Sequence, residues 1–141
     1  MNIASARNRP LVTWREGVRT RLHASGATGA EQLCVMEQRC APGTGAPPHR
    51  HEGVEEAVVV LAGRARFFAG DEEAELEAGE SILIGAGVRH GFTNVGDDEL
   101  RTLAVFAAPT PTVQYEGETA TLEIGGEGVD RRDAHRAYRR S

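Results

Sequence analysis

The sequence predicts an all-β fold, and three observations carry that expectation. Apolar residues fall in short runs, several of them alternating with polar ones, as half-buried strands require. Turn-forming clusters recur between the runs: Glu16-Gly17, Ala69-Gly70-Asp71, NVGDDE at 94–99 and APTP at 108–111. No long stretch keeps the helical period. The one segment of helical composition, DEEAELEAGE at 71–80, lies between two strand signals with few residues to spare, and it reads as a solvated hairpin.

In chain order, residues 1–10 are polar and are expected to be loosely ordered or an edge strand. Residues 12–14 and 18–22 are short strands around the Glu16-Gly17 turn, with His23 ending the second. ASGATGA at 24–30 is a loop by composition, and 32–39 alternates well enough for a strand. Residues 42–48, rich in Gly and Pro, form a stiff approach to His49. Strands follow at 57–61, 64–68, 73–76, 81–84 and 90–94. Residues 100–107 supply the strand expected to close the sheet structure, with Phe106 available to the core. Residues 113–124 add a further strand on the alternation in TATLEI, and GGEG then marks a joint to a charged segment, a tail or short helix over 125–141.

At 141 residues the chain has the size of one domain with a proper core. No apolar run approaches the roughly 20 residues of a membrane span. The start, MNIASARNRP, lacks the apolar centre of a secretory signal, so the expected location is cytoplasmic. The net charge is −5, but residues 130–141 carry five Arg against two Asp, which leaves −8 for the body. An acidic body argues against nucleic acid as a partner. All sixteen basic residues are Arg, a bias that fits a GC-rich bacterial genome. Cys34 and Cys40 sit in one apparent strand, roughly 20 Å apart if it stays extended at ~3.3 Å per residue, too far for a disulfide. Buried free thiols are expected.

Metal-ligand side chains concentrate in two segments. In residues 43–63, GTGAPPHRHEGVEEAVVVLAG, His49 and His51 stand two apart, so on a strand both imidazoles leave one face. A carboxylate follows at Glu55 or Glu56, ahead of a buried apolar run. In residues 79–94, GESILIGAGVRHGFTN, His90 opens a strand that also carries Phe92 and Asn94 on its own face. Three of the five histidines fall in these two segments, a concentration that points to a shared metal rather than to separate packed histidines.

These residues carry a family resemblance. The first segment is similar to the first cupin motif, G-x5-H-x-H-x4-E-x6-G, met at every position by Gly43, His49, His51, Glu56 and Gly63. The second is similar to G-x5-P-x-G-x2-H-x3-N, met by Gly79, Gly87, His90 and Asn94, with Gly85 where the family usually has proline. Fifteen residues separate Gly63 from Gly79, the short spacing of small microbial members. The resemblance implies a single-domain antiparallel β-barrel, the jelly roll or double-stranded β-helix of cupins, over residues 1–124. It also implies one divalent metal held by His49, His51, Glu56 and His90. Glu56 is in phase with Val58 and Val60, whereas Glu55 points the other way. The missing proline alters a turn and not a ligand.

Three imidazoles and a carboxylate leave open positions on an ion that prefers five or six ligands, where water, dioxygen or a chelating substrate can bind. The donor set suits Fe, Mn, Ni, Co, Cu or Zn and does not choose among them. The expected function is therefore a metal-dependent enzyme on a small chelating organic substrate. The pattern resembles the stand-alone cupins described as quercetin-dioxygenase-like, with Glu56 as ligand and transient base. The alternatives are a non-redox isomerase, cyclase or lyase using the ion as Lewis acid, and a small-molecule binding module without turnover. Gln38, Phe92 and Phe106 are the candidate substrate-pocket residues. His23, Gln38 and Arg89 could also line the mouth, though a solvated position is favoured for each. Pairing of sheet edges, common in the family, implies a homodimer.

Overall fold

The computed structural model describes residues 1–125. The charged segment expected over 125–141 therefore lies, but for Gly125, outside the described residues. Among the described residues twelve strands form: β1 Val12–Arg15, β2 Val18–Ala24, β3 Cys34–Cys40, β4 Gly45–Arg50, β5 Glu56–Ala62, β6 Arg64–Ala69, β7 Glu72–Glu77, β8 Ser81–Ile84, β9 His90–Asn94, β10 Leu100–Phe106, β11 Thr112–Tyr115 and β12 Leu122–Glu123. The helical content among the described residues is one 3-10 turn, Gly26–Thr28. Pairing is antiparallel throughout. One six-stranded sheet runs β1-β2-β3-β10-β5-β8 and the other β12-β11-β4-β9-β6-β7, the two faces of a jelly roll.

The alternation that predicted the strands also sets the core. On β10 the inward positions Leu100, Thr102, Ala104 and Phe106 are buried, and on β5 Glu56, Val58 and Val60 are. These strands pair in register, Phe106 opposite Glu56 and Ala104 opposite Val58, and β3 continues the rows through Cys34 and Met36. From the other sheet come Ala65, Phe67 and Phe92, the two phenylalanine rings 5.0 Å apart. Both cysteines are free and buried, and burial pushes their thiols up to about 12.

Several boundaries differ from the sequence expectation. Residues 42–48 were expected as a stiff approach, but from Gly45 onward they are strand β4. The prolines are tolerated because β4 pairs with β9 at Gly45, Ala46 and His49, with a register irregularity spanning Pro47 and Pro48 where the missing N–H groups would have been needed. Residues 113–124 form two short strands around a turn. Residues 1–10 contain no strand. The turn with Gly85 in place of proline is held by Val88 N–H donating to Gly85 O at 3.2 Å, and by Gly87, at φ 74°, donating to His51 O at 2.9 Å.

Candidate metal centre

The two motif segments meet because β4 and β9 are neighbours. His49 lies directly opposite His90 in that pairing. His51 follows β4 immediately, and the turn after it, through Gly53 at φ 68°, carries the chain across to the other sheet. There Glu56 opens β5 and faces back into the core from between Phe106 and Ile84. All four side chains are buried, at 8, 3, 5 and 3% exposure for His49, His51, Glu56 and His90. Glu55 is exposed.

The imidazoles are oriented by backbone carbonyls. His49 Nδ1 lies 2.7 Å from Pro47 O, His51 Nδ1 2.8 Å from Thr112 O, and His90 Nδ1 2.8 Å from Val88 O. A carbonyl only accepts, so each Nδ1 carries the proton and each Nε2 is left as the inward ligand atom. One ligand atom from each of the four residues falls within 4.8 Å of the others. Two donors on opposite sides of an ion, each about 2.1 Å away, stand about 4.2 Å apart, so the cluster has the dimensions of a coordination sphere.

The polar bookkeeping supports that fit. His90 Nε2 lies 3.0 Å from Glu56 Oε1, a hydrogen bond that without a metal needs protons on both ring nitrogens. His51 Nε2 is 3.3 Å from the same oxygen but off the line of a hydrogen bond, and it is buried with no hydrogen-bond partner. A divalent cation among them would satisfy every one of these atoms. Burial, with smaller contributions from His90 and His51, lowers the His49 pKa to about 3, so this imidazole is neutral and ready to ligate at ordinary pH. Burial alone would raise Glu56, but its contacts with His51 and His90 bring it down to about 2 and keep it ionised.

The cluster borders a narrow cavity with about 30 Å³ of free space, enough for a water or two. Its walls are mostly apolar, among them Met36, Val58, Phe67, Ile84, Val113 and Ile124. Gln38, Phe92 and Phe106 line it, and the Phe106 ring meets His51 edge-on with centroids 4.9 Å apart. Gln38, for which a solvated position was favoured, is buried at 9% exposure because β3 turns it inward. His23 and Arg89 are not in the wall: His23 pairs with Glu37 at 2.9 Å, and Arg89 with Glu116 at 2.7 Å.

Trp14, Arg15 and Tyr115 were missed by sequence reasoning. Tyr115 pairs with His49 across β11 and β4, and its ring sits 5.5 Å from the imidazole. Its hydroxyl accepts from Trp14 Nε1 at 3.0 Å and Arg15 Nη2 at 2.7 Å, joining β1 of one sheet to β11 of the other along the cavity wall. Residues 100 positions apart give no local signal of such a contact.

Fold and site together define a jelly-roll protein with a buried cluster of three His and one Glu suited to a metal ion. The family described as "Cupin domain" matches residues 36–106, half of the chain and both motif segments. The chain belongs to the cupin family. Among curated relatives, "Polyketide synthase CurC" of Streptomyces cyaneus is 35% identical over 93 residues, 64% of this chain and 58% of that protein. "Protein SchB" of Streptomyces halstedii is 34% identical over 90 residues, 62% of this chain and 65% of that protein. The matched stretch thus spans about three fifths of these relatives' own lengths. Among solved structures, the polyketide cyclase RemF from Streptomyces resistomycificus superposes with TM-score 0.69 at 24% identity, covering 84% of this chain and 87% of that one. A recombinant oxalate oxidase in complex with glycolate gives TM-score 0.65 at 22% identity, covering 70% and 55%. These two likenesses establish the fold. No helix among the described residues is long and apolar enough to cross a membrane.

Proposed function

We propose that the protein is a metal-dependent enzyme acting on a small, enolisable organic molecule that chelates the ion through oxygen, with cyclisation or isomerisation as the reaction class. The observation that carries this reading is the His49, His51, Glu56, His90 cluster opening onto a cavity with mostly apolar walls. The bound metal would act as a Lewis acid, drawing electron density from a chelated carbonyl and acidifying the adjacent C–H. The three histidines, fixed through Nδ1, hold their Nε2 atoms without reorganising. Glu56, ionised and weakly basic, balances charge and can take a proton only from a substrate acidified by chelation. Phe92, Phe106 and Phe67 would keep water away from the reacting carbon. Among the described residues Arg15 is the one Arg in the cavity wall, where its hydrogen bonds to Tyr115 and Gly45 O hold it. The relatives named as a polyketide synthase and a polyketide cyclase point the same way.

Metal analysis of untagged wild type and His51→Ala tests the site: about one ion per chain is expected in the first and little in the second, and equal contents would remove the site. Reaction class is tested with Zn(II)-loaded protein and a panel of 1,3-dicarbonyl compounds under nitrogen. Turnover there supports the Lewis-acid reading. Strict dependence on O2 would replace it with the dioxygenase-like reading, which the open coordination positions also favour.

The same reading takes the molecule as a homodimer. Leu61 and Leu83, 46% and 68% exposed, lie on the outward side of neighbouring strands β5 and β8, and an apolar face of this kind is commonly covered. Sedimentation of wild type at dimer mass, with Leu83→Glu shifted toward monomer, is the expected result; a monomeric wild type would reject it.

A further inference from the structure

Inside the barrel, three polar side chains stand in one row across neighbouring strands. Thr20 on β2 pairs with Gln38 on β3, which pairs with Thr102 on β10. All three are buried, at 6, 9 and 1% exposure. Gln38 is the member of the row that reaches the cavity beside the metal cluster. In a wall that is mostly apolar, this amide offers the cavity a donor and an acceptor that Leu or Met at the same position would not supply. Thr20 and Thr102 flank it in register and so confine it sideways on the strand. The inward turn of β3 leaves the amide one open direction, toward the cavity.

Gln38 lies four residues along β3 from Cys34, which shares the row of Glu56 through Phe106. That is about 13 Å of strand, part of which the glutamine side chain spans. With only about 30 Å³ of free space, room for a water or two, a chelating head must displace that water to enter, and the body of a substrate stays outside. We propose that Gln38 is a specificity-determining residue: its carboxamide, donor and acceptor at once, hydrogen-bonds an oxygen that the substrate carries next to its chelating pair. The inference rests on the proposed chelation at the metal cluster. The substrate class narrows to molecules whose metal-binding oxygens adjoin a third oxygen function, such as a hydroxy-dicarbonyl unit.

Two probes that differ by that oxygen alone test it on the full chain loaded with Co(II): acetohydroxamate, which only chelates, and glycolohydroxamate, which adds one hydroxyl beside the chelating unit. By calorimetry, wild type should prefer glycolohydroxamate by about fivefold, the worth of one hydrogen bond. Gln38→Leu and the closer isostere Gln38→Met should keep their cobalt and their acetohydroxamate affinity and lose the preference. A preference that survives in both variants, or an equal loss for both probes, would overturn the proposal. If wild type binds acetohydroxamate without preference for its hydroxylated partner, the inference alone falls. If neither probe binds cobalt-loaded wild type better than metal-free protein, the proposed chelation falls and the role of Gln38 with it.

Discussion

On the outward side of β3, Glu37 is a carboxylate only 6% exposed, and three groups account for it. Arg39 Nε donates to Oε2 at 2.8 Å, Arg21 Nη1 to Oε1 at 3.2 Å, and His23 Nε2 lies 2.9 Å from Oε1. Burial alone would raise its pKa, but the hydrogen bonds with His23 and Arg39 and the charges of Arg21 and Arg39 bring it from 4.5 to about 2. The folded-state value lies below the unfolded one, so the stabilisation is complete above about pH 4.5 and is lost as pH falls toward 2. Glu37→Gln should therefore cost about 2 kcal/mol at pH 7, measured by urea unfolding, and should flatten the acid limb between those pH values. An unchanged acid limb would mean that the cluster contributes nothing to folding. The alternation of β3 in the sequence shows that Glu37 faces away from Gln38. It does not show the cover, since Arg21 is itself fixed by donating to Arg9 O at 2.6 Å, from a segment that forms no strand. His23 was legible as a strand end, but not as the partner of a carboxylate fourteen residues on.

Among the elements, β4 is where sequence and structure diverge most and where the site depends on the difference. Its Gly-Ala-Pro-Pro lead reads as loop because proline removes two ladder donors. The strand survives by pairing on either side of them, with Thr93 and Phe92 before and His90 after. That close approach is possible only because residue 45 lacks a side chain: a Cβ there would collide with the backbone carbonyl of Phe92. Gly45→Ala should push β4 off β9, lowering stability by about 2–3 kcal/mol and carrying His49 away from His90. A calorimetric Tm and the metal content of the purified protein should fall together; a fall in Tm with full metal retention would show that His49 is placed by the β11 pairing instead. The cluster was legible because His49, His51, Glu56 and His90 stand at the ligand positions of the two cupin motifs, whose spacings this sequence meets. The cavity wall was legible only in part. Phe92 and Phe106 follow from alternation, whereas Met36, Val113 and Ile124 reach the cavity through pairings that no local pattern announces.

At the scale of the whole molecule, the cluster ties the two sheets together. His49 and His90 belong to the β4–β9 pair, His51 is held through Thr112 O at the start of β11, and Glu56 comes from the opposite sheet. In the unfolded chain these groups are scattered over residues 49–90, so an ion that prefers the assembled set binds the folded state and stabilises it by mass action. At a free concentration one hundred times the dissociation constant the gain is about 2.7 kcal/mol. For a chain of this size that raises Tm by roughly 5–10 °C. Differential scanning calorimetry of chelator-treated protein, with and without added Ni(II) or Zn(II), should show that rise. Glu56→Ala should reduce it sharply, because without the carboxylate the ion contacts one sheet only. His51→Ala should reduce it as well. The Glu37→Gln variant, remote on the outer face, should keep the full increment on its lower baseline. A metal-induced rise of equal size in all four proteins would place the ion somewhere other than between the sheets, and the link from barrel closure to site chemistry would be broken.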